Sequence, residues 1–327
     1  MSNTLRIYAL GGLGINIGSQ LLKFVGKEHK GYAKLEICFV DTSGSNLIDK
    51  DIDDDLVYLL DGVDGSGKKR SQNYAAMVDI TNEILHRFKP GDVNIVLHSA
   101  SGGSGAVLGT IIVSELLKRN QLVIPVMVGS TGSRIEVDNT IKTLKSYEMI
   151  SKKSDTPVVA CYKENSKDTN RTKTDNEIIT LIILITILFS GQNRELDKAD
   201  LNNFINYHNV TDYSPKLTYL DFYSREINID KGTSLVTVAT LCDEENSPEL
   251  DTQVEYQAVG YVLEDSKDIF NIELPIHAAT VLNHFTNKVG NLEIKLASYR
   301  EAREIVVERS IATKEDSSDA TDKGILL

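Results

Sequence analysis

The stretch LHSASGGSGAVLGT, Leu97 to Thr110, sets four glycines and three serines between an apolar strand-like run and an apolar helix-like run. Glycine serves where the backbone must take unusual dihedrals or come close to a ligand. A strand, a glycine turn and a helix start aim several N–H groups at one point, which suits a phosphate. A plain tight turn would need only one or two glycines. Gly102, Gly103, Ser104 and Gly105 are therefore candidates for a phosphate cradle. A second turn, ALGGLGINIGSQLL, carries Gly11, Gly12, Gly14 and Asn16. By itself it has the look of a dinucleotide turn, with Asp41 at the end of the next strand as a ribose partner. It does not separate a dinucleotide from a mononucleotide. Two glycine turns and a third loop, DGSGKK, suit a triphosphate wrapped from two sides. The segment DGVDGSGKKRS has Gly62 and Gly67 at Walker spacing, but Lys69 stands where Ser or Thr is required, so a P-loop is excluded.

Two further patterns carry chemistry and also a plainer reading. Asp197 and Asp200 in ELDKADL could orient or polarise a water as a carboxylate pair; at a helix start they also read as dipole-favoured caps. Asn165 and Asn176 flank SKDTNRTKTD. Their amides offer a donor and an acceptor together and could read a purine edge, yet Asn is routine in loops and caps.

These residues need elements to hold them. The chain has 327 residues, 41% apolar and 25% charged, with a net charge of −12. That is an ordinary globular composition with room for about two domains. Its acidity argues against direct nucleic-acid binding, which needs clustered Lys and Arg. Cys38, Cys161 and Cys242 show no paired spacing, so neither a disulfide framework nor a zinc site is expected, in keeping with a cytoplasmic setting. The first residues run into a strand without a signal pattern. The most apolar stretch, Ile178 to Phe189, falls short of the ~18 residues of a membrane span and is expected to be buried on all sides.

Residues 1–174 alternate strand-like and helix-like segments, LRIYAL, LEICFVD, VNIVLHS, LVIPVMVGS and TPVVACY being the strands. Near-continuous apolar strands between helices predict a doubly wound parallel sheet with its ligand at the carboxyl ends. A central helix is expected over 175–193. An α+β domain with strands KLTYLDFY, LVTVATLC, EYQAVGYVLE and NIELPIHAA should follow over 194–290. A charged helix and an acidic tail close the chain over 291–327.

The order GGLGIN, VDTSGSN, DGSGKK, SASGGSGAVLG, apolar helix, LDKADL resembles the tubulin/FtsZ superfamily over roughly the first 210 residues. Within it, GGLGIN, SGGSGAVLG, DNEI, RELDKAD and the acidic tail are similar to the phage tubulins of the PhuZ type. The resemblance implies a polymerising GTPase with GTP or GDP and Mg²⁺ as ligands. Gly11, Gly12, Gly14, Gly102, Gly103, Ser104 and Gly105 would hold phosphates, Asp41 would lie near the metal, and Asn16, Asn165 and Asn176 would approach guanine or ribose. Asp197 and Asp200 would act on the next subunit's nucleotide. Self-association, a tail contact to the neighbour, phage cargo or an adaptor, and a place in the host cytoplasm follow from the same likeness. A DNA-partitioning filament of the TubZ kind and a nicotinamide-dependent oxidoreductase stand as rivals.

Overall fold

The computed structural model describes residues 2–28, 31–60, 74–166, 169–224, 227, 234–244, 254–263 and 273–299. Six strands run parallel in the order β3-β2-β1-β4-β5-β6: β1 (Thr4–Leu10), β2 (Lys34–Asp41), β3 (Val57–Leu59), β4 (Val93–Ser99), β5 (Val123–Ser130) and β6 (Val158–Asn165). The order reverses between β1 and β4. That switch point opens a crevice at the strands' carboxyl ends, where sheets of this kind bind ligands.

Both faces of this sheet are covered, which is why its strands are apolar throughout rather than alternating. Ile7 and Ala9 of β1 join the apolar cluster of α1 (Gly11–Leu21) and α5 (Arg171–Leu188). Tyr8 and Leu10 point the other way. They join the cluster of α2 (Tyr74–Arg87), α3 (Ser104–Lys118) and α4 (Arg134–Ser154). The expected doubly wound sheet is what forms.

The second half extends the same sheet. β8 (Leu217–Ser224) pairs in parallel with β6, and the order continues β8-β11-β9-β10-β7 through β11 (Ile276–Leu282), β9 (Ser234–Cys242), β10 (Tyr256–Val262) and β7 (Asn193–Arg194). α5 is apolar on nearly every face beyond its first turns. Ile178, Ile182 and Ile185 share one cluster with β1 and β2 and with Ala239 and Leu241 of β9, so this helix is the common core of both halves.

Local starts and stops differ from expectation in four places, the first being α5, which runs over Arg171–Leu188 where 175–193 is expected. α1 begins at Gly11, so the expected glycine turn shrinks to one left-handed residue (φ 65°). β11 begins only after Pro275, because proline has no N–H for the ladder. The closing helix, α7, starts at residue 284 rather than near 291. Phe285, Leu292 and Leu296 pack it into the cluster that holds α4. Among the described residues no helix is long and apolar enough to cross a membrane. The DGSGKK loop and the acidic tail lie outside the described residues.

Candidate functional site

A cavity of about 670 Å³ sits at the switch point, between the turns after β1 and β4. Gly11, Gly12, Asp41, Gly102, Gly103, Ser104, Gly105 and Asn165 all line it. The two glycine turns meet backbone to backbone: a Cβ on Gly11 would stand 3.4 Å from the Cα of Gly105, and one on Gly105 would stand 3.0 Å from the carbonyl oxygen of Leu10. Side chains there would push the two turns apart.

α1 and α3 both begin at this cavity. Neither has a side-chain cap, and neither has an acidic residue in its first turn. The first N–H groups of a helix have no partner within it and carry its positive end. Two uncapped helix starts facing one polar cavity make an anion site from backbone alone. Around them stand hydroxyls, with Thr42 Oγ1 donating to Ser104 Oγ at 3.0 Å.

Asp41 is an acidic side chain beside the cradle. It is buried. Burial raises its pKa, against hydrogen bonds from Asn46 Nδ2 (2.6 Å) and the Thr42 N–H (2.7 Å). Mg²⁺ typically takes one or two carboxylates and completes its shell with substrate phosphates and water. Asp41 with the Thr42 and Ser104 hydroxyls fits that donor set. No group of three or more His, Cys, Asp or Glu able to hold a metal occurs among the described residues, so an ion here would draw most of its ligands from phosphate and water.

Three of the residues expected at the site do not line this cavity. Gly14 is a packing glycine: a Cβ on it would stand 2.6 Å from the carbonyl carbon of Ala9 and 2.8 Å from the oxygen of Leu97. It lets α1 lie close against β1 and β4. Asn16 stands one turn beyond Gly12, donates from Nδ2 to Asp175 Oδ2 at 3.2 Å, and accepts from Lys50 Nζ at 3.2 Å. Asn176 is exposed and lines a separate cleft with Lys163, Glu177 and Asp221. Its neighbour Asp175 faces α1 instead.

Asn165 and Asp175 share a further feature. Oδ1 of each is buried without a hydrogen-bond partner, and burial raises the pKa of Asp175 against the opposing pull of Arg171 and Asn16. Native structures seldom leave buried acceptors unsatisfied. Two here, one lining the cavity and one a single turn beyond the lining residue Arg171, fit a ligand that presents N–H donors.

Glu136 and Arg171 also line the cavity, and neither was among the candidates. Ser130 and Ser133 hydroxyls fix Glu136 Oε2 at 3.2 and 3.0 Å. Its signal in the sequence was the Ser133-x-x-Glu136 capping pattern after an apolar strand. Arg171 has one too: a basic residue in a helix's first turn, against the dipole.

The acidic pair stands at the other end of α5. Asp197 caps α6 (Lys198–Ile205), with Oδ1 accepting from the Ala199 and Asp200 N–H groups at 2.7 and 3.0 Å. Asp200 Oδ2 accepts from the Asp197 N–H at 3.1 Å, and Tyr256 donates to Asp200 Oδ1 at 3.0 Å. The capping reading is therefore realised in full. α5 has 18 residues, which at the usual rise separates the two ends by ~27 Å. Its last turn meets the start of β1, where Asn3 Nδ2 donates to the Phe189 carbonyl.

Residues 5–166 match the Tubulin/FtsZ family, GTPase domain. Over 202 residues the chain is 34% identical to a phage tubulin-like protein of Pseudomonas phage PhiPA3, covering 62% of this chain and 61% of that protein. The match therefore spans a little under two thirds of that relative's length. Among solved structures, the phage tubulin PhuZ with GDP superposes at a TM-score of 0.81 with 21% identity over 92% of both chains. A protofilament of TubZ from bacteriophage PhiKZ superposes at 0.79 with 24% identity, again over 92% of both. The tubulin/FtsZ fold thus extends through the second half of the sheet, beyond the matched domain.

Proposed function

We propose that this phage-tubulin-like chain binds GTP in the cavity between α1 and α3, assembles head to tail, and hydrolyses GTP with carboxylates supplied by the next subunit. The observation that carries this reading is the separation of the two sets of groups: the phosphate cradle and the Asp197–Asp200 pair stand at opposite ends of α5. One chain cannot bring them together. A second copy stacked end on end can, and a filament of such copies completes every site except the last. The protofilament among the structural neighbours supports the stacking.

Guanine is favoured by the unpartnered acceptors. Its pairing edge presents N–H donors, which match Asn165 Oδ1 and Asp175 Oδ1. Along the phosphates, the backbone of Gly102–Gly105 and the starts of α1 and α3 hold negative charge. Mg²⁺ would be held by Asp41, and when bound it spreads charge over the phosphate oxygens. The neighbour's Asp197 and Asp200 orient the attacking water and take up its proton.

In this reading the filaments place phage DNA or a phage compartment within the host cytoplasm. The acidic tail from Lys314 to Leu327 docks on the adjoining subunit. Truncation after Thr313 should raise the critical concentration for assembly while leaving nucleotide binding by the monomer unchanged.

The deciding experiment is complementation. Asp200→Ala removes the acting carboxylate and keeps the cradle. Gly102→Asp sets a negative charge among the phosphates and keeps the acidic loop. Each alone should be inactive, and an equimolar mixture should recover a substantial part of the GTPase rate. A mixture as inactive as its components would refute action between subunits. GTP should also raise the melting temperature of the native chain where ATP and NAD(H) do not.

A further inference from the structure

The turn that carries the cradle is tied down from behind by a single helix. Asn139, Thr143 and Tyr147 recur every fourth residue along α4, so they form one stripe on its inner face. All three are buried. Asn139 Nδ2 donates to the Ser101 carbonyl at 3.2 Å. The Thr143 hydroxyl, 2.8 Å from the Ala100 carbonyl and 2.9 Å from that of Asn139, shares its one proton between them. Tyr147 OH lies 2.7 Å from His98 Nε2, and His98 Nδ1 lies 3.1 Å from the Ser99 carbonyl. A carbonyl only accepts, so Nδ1 carries a proton, and in the neutral ring Nε2 accepts from Tyr147.

Residues 98 to 101 are thus held in succession, the last of them directly before Gly102. None of the four holding side chains, His98 included, lines the cavity. Leucine or valine would pack α4 onto the sheet without the desolvation that buried polar groups incur. What the polar stripe adds is a defined position for the backbone of the turn.

We infer that the Asn139–Thr143–Tyr147 stripe, with His98, is a positioning device for the phosphate cradle. It sets the backbone of Gly102–Gly105 at the spacing a phosphate chain requires. These residues act through the turn and touch no ligand. The inference rests on the cavity being the GTP site.

The test compares GTP, GDP and guanosine binding by calorimetry, with the nucleotide-free melting temperature of each variant. Thr143→Val keeps shape and removes the hydroxyl. It should weaken GTP and GDP binding by ~10-fold or more, because small misplacements of binding groups carry large penalties. Guanosine, which has no phosphate, should bind as it does to the native chain. Thr143→Ser should restore nucleotide binding. Tyr147→Phe should act like Thr143→Val, and it decides the matter should Thr143→Val fail to fold. A loss equal for all three ligands, or a fall in melting temperature with no change in binding, would reduce the stripe to packing and overturn the inference. Native protein that binds none of the three ligands would overturn the GTP reading and this inference with it. Native binding of GTP with variants indistinguishable from it would overturn this inference alone.

Discussion

The helix starts at the two ends of α5 are built in opposite ways. α1 and α3 open on glycines, with no capping side chain and no acid. α6 opens on a full capping box in which Asp197 and Asp200 satisfy each other's backbone. A helix start that satisfies its own N–H groups is complete as it stands. One that leaves them bare beside a cavity is complete only with an anion in place. The difference also shows why the acidic pair is hard to judge from its own surroundings. The same carboxylates that cap α6 are the ones proposed to work on a neighbour's nucleotide, and a cap leaves a carboxylate oxygen lone pairs to spare.

The sharpest break in this comparison comes from Asp200. Asp200→Ala should lower the GTPase rate by ~10² or more, the usual scale for a general base, while nucleotide binding stays native. A native rate would leave Asp200 with capping alone.

Gly14 and Gly102 test the cradle end. Gly14→Ala drives a methyl into the backbone of Ala9 and Leu97 and should cost ~3 kcal/mol in denaturant unfolding. In Gly102→Ala the methyl meets Ser99 Cβ at an ordinary 3.4 Å, so stability should change by no more than ~0.5 kcal/mol. Equal losses would contradict the separation of packing and lining glycines.

Base recognition should give a smaller effect. Asn165→Leu removes an acceptor and should narrow the preference for GTP over ATP by ~10-fold in competition binding, as loss of one buried hydrogen bond predicts. An unchanged preference would remove Asn165 from the base site. At the acidic end, Asp197→Ala should cost ~1 kcal/mol of stability, and Asp197→Asn, which still caps, should cost less. Equal costs would show that the charge, rather than the hydrogen bonds, holds α6.

The smallest effect is in pH. Burial raises the pKa of Asp41 above its ordinary 3.8, so the folded state disfavours the charged form. Nucleotide-free stability should therefore decline as pH rises from about 3.8 through the raised value. Asp41→Asn should abolish that decline and be the more stable at neutral pH, since Asn46 can turn its amide to pair with the new one. An Asp41→Asn curve with the native pH slope would place the titration elsewhere.

Sequence periodicity and glycine placement by themselves determined the alternating strands and helices of the first half, the switch-point cavity and the glycine-rich part of its lining. Those features rest on local conformational preference and on which faces must be buried, and both are written in neighbouring residues. Eight of the marked residues meet at one cavity because each sits at the carboxyl end of a parallel strand, in the turn that follows it or in the first residues of the next helix. Tertiary structure alone decided which members of a motif face the cavity. Gly14 turned inward because α1 lies against β1 and β4, and Asn176 turned outward because Asp175 pairs with Asn16 across to α1. Only packing revealed the stripe behind the turn. Asn139, Thr143 and Tyr147 show helical spacing, but their partners lie some 40 to 50 residues away. A hydrogen bond between elements so far apart in the chain leaves no local pattern, because it exists only once the sheet has brought β4 beside α4.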